Sequence, residues 1–207
     1  MANYLHQDDL PETVTFSGSV AVDSETMGLL TPRDRLCVVQ LSAGDGDAHL
    51  VQFQSDPRDK DTAPRLKALL QDASVEKIFH FARFDVAAFA HWLGVSTTPI
   101  YCTKIASRLV RTYTDRHGLK DLVRELIGAE ISKQQQSSDW GGETLSEAQV
   151  DYAASDVLHL HALRERLDVM LAREGRTHLA RACFDFLPTR AALDNAGWAD
   201  TDIFAHS

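Results

Sequence analysis

Cysteine is scarce in this 207-residue chain. Cys37, Cys102 and Cys183 are widely spaced and form no CxxC pair. An odd count at such spacing supports neither a disulfide framework nor a structural zinc site, and it fits reduced thiols in a cytoplasm. Basic side chains are outnumbered, 21 Lys and Arg against 30 Asp and Glu, so the formal net charge is −9. That is the opposite of the footprint of a protein that grips long nucleic acid by its phosphates, so any nucleic-acid chemistry has to be short-range or metal-mediated. No window approaches the roughly 18 uncharged apolar residues of a membrane span. The opening MANYLHQDDLPET has no basic region leading into an apolar stretch. The expectation is a soluble, cytoplasmic chain without a membrane partner. With 44% hydrophobic and 25% charged residues, it is neither disordered nor fibrous.

Patterning places strands first. Val20 and Val22 alternate in SVAVDSE, and the apolar runs LCVVQLS and AHLVQF flank the turn-forming GDGD at 44–47, which predicts a β-hairpin. From Ala63 the spacing turns helical in PRLKALLQD, then comes a short strand in KIFHFA and a helix in RFDVAAFAHWLG. After Tyr101 the chain reads as nearly all helix: CTKIASRLVR, GLKDLVRELIG, and a long segment from Ser146 to about Arg173 that opens on a Ser146–Gln149 cap. The polar stretch at 132–143 reads as a loop within one domain. The reading is one α/β domain over 1–176 with a helical tail over 177–207.

Three clusters could carry chemistry. Asp23 and Glu25 are two apart at the end of an apolar strand, so their carboxylates share a face; a DxE pair equally marks a strand entering a loop. Asp85 sits among Phe81, Phe84 and Phe89 where a strand gives way to a helix, a place for a metal ligand or for a helix cap. Tyr152 and Asp156 form an i, i+4 pair on one helix face, which a surface hydrogen bond would also explain. Together they supply four carboxylates and a phenol without histidine or cysteine. Such hard oxygen donors suit Mg²⁺ or Mn²⁺, and two such ions form a clamp for phosphodiester hydrolysis. His159 and His161 lie two apart on a helix and point to different faces, which makes no zinc site.

The stretch from about Val20 to Leu163 resembles the DEDD exonucleases in their tyrosine-containing branch, which includes ribonuclease D. VAVDSE with LCVVQLS looks like the first exonuclease motif, HFARFD the second and YAASDVLHL the third. HGLKDLVRELIGAEISKQQQSSDW resembles the ribonuclease D segment that precedes the third motif. One departure is visible: Phe81 follows His80 where the second motif usually has Asn, which puts a secondary hydrogen bond in doubt. The resemblance implies a ribonuclease H-like fold, with a mixed sheet flanked by helices. It also implies Asp23, Glu25, Asp85 and Asp156 as ligands of two Mg²⁺ or Mn²⁺ ions, with Tyr152 orienting the attacking water. Nucleoside 5'-monophosphates would leave from the 3' end.

Ribonuclease D carries helical nucleic-acid-binding modules after its catalytic domain, and the 51 residues following Asp156 leave no room for one. A short domain of acidic balance is more similar to the nano-RNase C subfamily, which implies very short single-stranded RNA as substrate and a homo-oligomer, an octamer. Leu187, Leu193, Trp198, Ile203 and Phe204 of the tail would dock on the domain or on a neighbouring subunit. By resemblance to the oligoribonuclease branch, Leu29 is the candidate wedge between two bases, with Met27 second; a core leucine ahead of Pro32 is the alternative. His80, Phe84, Arg108, Arg111 and His117 complete the candidate substrate contacts; Arg116 and Lys120 join Arg108, Arg111 and His117 as a basic set for substrate phosphates, for which a solvated helix end would equally account. A catalytically inert RNA-binding relative and a DNA exonuclease are the rival readings.

Overall fold

The computed structural model describes residues 2–132, 134–135 and 137–206. Met1, Lys133, Gln136 and Ser207, which belong to the expected domain, loop and tail, lie outside the described residues. Among the described residues six strands form one sheet: β1 (Asn3–Gln7), β2 (Ser19–Thr26), β3 (Leu36–Ser42), β4 (Ala48–Gln52), β5 (Glu76–Phe79) and β6 (Ile100–Cys102). Their order is β1-β4-β3-β2-β5-β6. The β2–β3 and β3–β4 pairs are antiparallel, and β1–β4, β2–β5 and β5–β6 are parallel. All seven residues of β3 are buried, as expected of a strand covered on both faces. The predicted hairpin is the β3–β4 pair, and the mixed sheet flanked by helices is the architecture expected.

Helix α1 spans Pro64–Gln71, α2 Ala82–Trp92, α3 Thr103–Val110, α4 Leu119–Leu122, α5 Glu147–Leu158, α6 Leu160–Arg173 and α7 Thr177–Leu193. A single π turn, Val123–Ile127, extends α4. Helix α5 lies across β1 to β4, whereas α2 touches β3 and β6 and packs against α7. The predicted cap of α5 is a full capping box: Gln149 N donates to Ser146 Oγ at 3.3 Å and Ser146 N donates to Gln149 Oε1 at 2.9 Å. The long helical segment is divided, because His159 (φ −105°, ψ −4°) ends α5 before Leu160 starts α6.

Two strands escape sequence patterning. In β1 four of five residues are exposed, so there is no alternation to read, and the strand exists by its parallel ladder to β4. Strand β6 is three residues long and continues directly into α3. Helix α7 buries Ala180, Phe184, Leu187 and Ala191. Beyond it, Asp194 accepts from Arg83 of α2 at 2.6 and 2.8 Å and from Arg190 at 2.5 and 3.0 Å. Trp198, Ile203 and Phe204 are exposed. Among the described residues no helix is long and apolar enough to cross a membrane.

Strand β5 is anchored by an unusual interior group. Lys77 is fully buried, and its Nζ donates to the carbonyls of Asp72, Val75 and Thr98 at 2.7, 2.6 and 2.6 Å. Burial pulls its pKa down to about 8. The three bonds tie β5 to the turn after α1 and to the approach to β6. Lys77→Met, which keeps the stem and removes the donors, is expected to destabilise the fold by roughly 2–4 kcal/mol in a urea titration, because buried carbonyls lose their partner.

Candidate active site

Strand β2 delivers carboxylates to one end of the sheet. Asp23 and Glu25 share a face of β2, paired in register with Gln40 and Val38 of β3. The register shifts between Glu25 and Thr26, so the ladder breaks where the acids end. Helix α5 crosses that face and brings Asp156 to them, and carboxylate oxygens of Asp23, Glu25 and Asp156 lie within 4.8 Å of one another. Ser24, between the two acids, is buried on the other side of the strand, and its Oγ donates to Asp85 Oδ1 at 2.6 Å. Asp85 stands outside the 4.8 Å group among the described residues. It lies in the first turn of α2 and is not the cap: that position is Phe81, which makes no side-chain capping bond.

These groups line a cavity of about 690 Å³. Its walls include Asp23, Glu25, Asp85, Tyr152 and Asp156, and also Met27, Leu29, His80 and Phe84. Leu29 is 83% exposed and therefore no core leucine. His80 Nδ1 is 2.9 Å from Thr103 Oγ1.

Three of the basic residues expected at the substrate are placed elsewhere. Arg111 is fully buried, ion-paired with Glu125 and donating to the Arg116 carbonyl at 2.6 Å, so it braces the end of α3. His117 Nδ1 is 2.9 Å from Ser107 Oγ, and neither His117 nor the exposed Arg108 lines the cavity. Among the described residues the lysines on its wall are Lys104 and Lys120, the second a member of the basic set expected at the substrate. Lys104 is the second residue of α3, two positions after the unpredicted β6 ends, and no motif marks it. Its Nζ sits 4.2 Å over the Phe81 ring. Phe81 itself holds left-handed backbone angles, φ 73° and ψ 44°, which asparagine tolerates better than a bulky residue. The Asn that the resemblance implies at this position thus has a backbone rationale, and here a 41% exposed aromatic ring faces the cavity instead.

Burial and mutual repulsion raise the carboxyl pKa values. Asp23 is raised well above the usual range by burial and by Asp85, Asp156 and Glu25; Glu25 rises to about 9 and Asp85 to about 7, burial being the largest cause in each. The Tyr152 phenol is also raised, by burial, by the surrounding acids and by its hydrogen bond to Asp156, and so stays protonated. Acids crowded to this degree fit a divalent cation, which relieves their repulsion and accepts only hard oxygen donors here.

Residues 6–172 match the 3'-5' exonuclease family DNA_pol_A_exo1. The chain belongs to that family. It is 38% identical over 157 residues to ribonuclease D of Gluconacetobacter diazotrophicus, an overlap that covers 76% of this chain and 39% of that protein. The chain therefore spans about two fifths of the length of that ribonuclease D. Solved structures of Brucella melitensis NrnC are similar over the whole length of both chains: one with bound Mg²⁺ at 54% identity and a TM-score of 0.94, one bound to pGG at 55% and 0.95.

The raised pKa values set a pH dependence. In the unfolded chain Glu25 and its neighbours ionise near pH 4–4.5, but in the fold they hold their protons to higher pH. Their contribution is thus fully present below pH 4 and is lost as pH rises towards about 9. A cation that replaces those protons should stabilise more at high pH. The Mg²⁺-induced rise in Tm, measured against EDTA-treated protein by thermal denaturation, is expected to be small at pH 5 and to grow towards pH 8.5. A pH-independent increment would detach Mg²⁺ from these acids.

Proposed function

We propose that the chain is a metal-dependent 3'-5' exoribonuclease that hydrolyses very short RNAs, dinucleotides above all, to nucleoside 5'-monophosphates. The observation that carries this reading is the convergence of the Asp23, Glu25 and Asp156 carboxylates within 4.8 Å on a cavity that Tyr152 also lines. The pGG held by the similar Brucella melitensis protein supports the short substrate, as does the net charge of −9, which disfavours contacts along a polymer.

Asp23, Glu25 and Asp156 are the assigned metal ligands, with Asp85 acting directly or through water and Ser24 orienting its carboxylate. Two Mg²⁺ or Mn²⁺ ions, when bound, supply an acidified water and charge stabilisation at the leaving 3' oxygen. Tyr152, protonated and hydrogen-bonded to Asp156, aligns the attacking water with the terminal phosphodiester. Leu29 is the wedge between the two bases, with Met27 beside it, and His80 and Phe84 border the path of the substrate. Lys120 keeps the phosphate-contacting role expected of the basic set, and Lys104 joins it in place of Arg108, Arg111, Arg116 and His117. Residues 1–176 form the catalytic unit and 177–207 the segment that docks on it or on a neighbouring subunit. The location is the cytoplasm, and the assembly is a closed homo-oligomer, an octamer; a monomeric mass by light scattering at micromolar concentration would remove that assembly.

Asp23→Asn, Glu25→Gln, Asp85→Asn and Asp156→Asn are each expected to abolish hydrolysis while leaving the fold intact, as read by circular dichroism and product chromatography. Tyr152→Phe should lower kcat roughly 10²-fold with KM nearly unchanged. Near wild-type turnover in any of these variants would show that residue to be misassigned.

A time course on 5'-labelled RNAs of two to about twenty nucleotides tests the substrate class. An apolar wedge gains about 1–3 kcal/mol per stacked base, and that gain is complete at two bases. Dinucleotides should be cleaved at least as fast as longer RNA, and Leu29→Ala should slow them without altering Mg²⁺ binding. Faster cleavage per site on a twenty-nucleotide RNA would assign a general ribonuclease D-like role. Equal cleavage of a DNA dinucleotide would remove the preference for RNA.

A further inference from the structure

Trp140 is absent from every role assigned so far, yet it lines the cavity and is only 2% exposed. Its indole stands against the ring of Tyr152, with centroids 6.1 Å apart and planes at 38°. Nε1 of the indole is buried and has no hydrogen-bond partner among the described residues. For packing alone, an apolar side chain would fill this place without burying an unpaired N–H. The tryptophan offers a wide, flat surface against one side of the phenol.

The loop that carries it shares a reference frame with α5. Gln149 closes the capping box of that helix through Oε1, and its Nε2 donates to the Asp139 carbonyl at 3.0 Å. Gly141 N donates to Asp139 Oδ1 at 3.0 Å, and Gln52 Nε2 donates to the Gly142 carbonyl at 3.0 Å. Gln149 and Tyr152 are i, i+3 neighbours on one helix face. A single side chain thus sets the indole relative to the turn of helix from which the phenol projects. A tyrosine on a helix has two χ1 wells open to it, and a fixed ring on one flank favours one of them.

We propose that Trp140 is a positioning residue for the reaction assigned above, holding Tyr152 in the rotamer from which its hydroxyl meets the attacking water. The inference rests on that reading of the site and adds the group that sets its geometry.

A double-mutant cycle on the full chain tests it, with an RNA dinucleotide and Mg²⁺. Trp140→Leu is expected to lower kcat roughly 10-fold with KM within about 2-fold, and to cause no further loss when Tyr152→Phe is already present. The Mg²⁺-induced rise in Tm should be the same in all four proteins. Should Trp140→Leu melt below the assay temperature, Trp140→Phe takes its place, with an expected loss of about 3-fold in the parent and none beside Tyr152→Phe. The same fold loss in both backgrounds, or a loss confined to KM, overturns the role of Trp140 while Tyr152 keeps its own. Hydrolysis that does not depend on Tyr152 overturns the reading of the site, and the role of Trp140 with it.

Discussion

Like charges gathered against their own repulsion are the constraint around which this domain is built. Two ionised carboxylates at 4.8 Å, the span of the Asp23, Glu25 and Asp156 oxygens, would repel by about 3.5 kcal/mol at an effective dielectric constant of 20, a cost that raises their pKa values when no cation is bound. No single element would hold three of them there. They come instead from β2 and from α5 packed across it, with Asp85 added from α2, so that separating them would mean unpacking the core. Burial of the whole of β3 beside β2 makes that arrangement stiff.

Parts of this were legible in the sequence because they leave local signatures. The alternation in SVAVDSE, the turn residues between LCVVQLS and AHLVQF, and the Ser146–Gln149 cap each encode their structure within a few residues. The acids were legible as chemistry for the same reason, since two of them flank one residue on a strand and Tyr152 and Asp156 are one helical turn apart. What remained hidden depends on distant partners. Strand β1 has no pattern of its own and is defined by β4. Lys104 reaches the cavity because β6 and α3 deliver it there, whereas Arg111, equally basic in the sequence, turns inward to Glu125. Charge alone does not tell a cation that meets solvent from one that braces a helix end.

Phe81 shows the two kinds of information meeting at one residue. As a departure from the family's Asn it pointed to a lost hydrogen bond. Its left-handed backbone recasts the position as a conformational requirement, met here by a residue that pays with strain, of order 1–3 kcal/mol for a non-glycine residue in this region. The exposed ring under Lys104 is what the chain has in place of the amide.

Arg83, two residues before Asp85, reaches Asp194 across 111 positions of sequence. During synthesis that helix is made long before its partner, so α2 acquires this ion pair only once α3 to α7 have left the ribosome. The contact between the two helices is therefore sealed late, and trimming the chain ahead of Asp194 would remove a brace from the helix that carries Asp85 without touching a residue that lines the cavity.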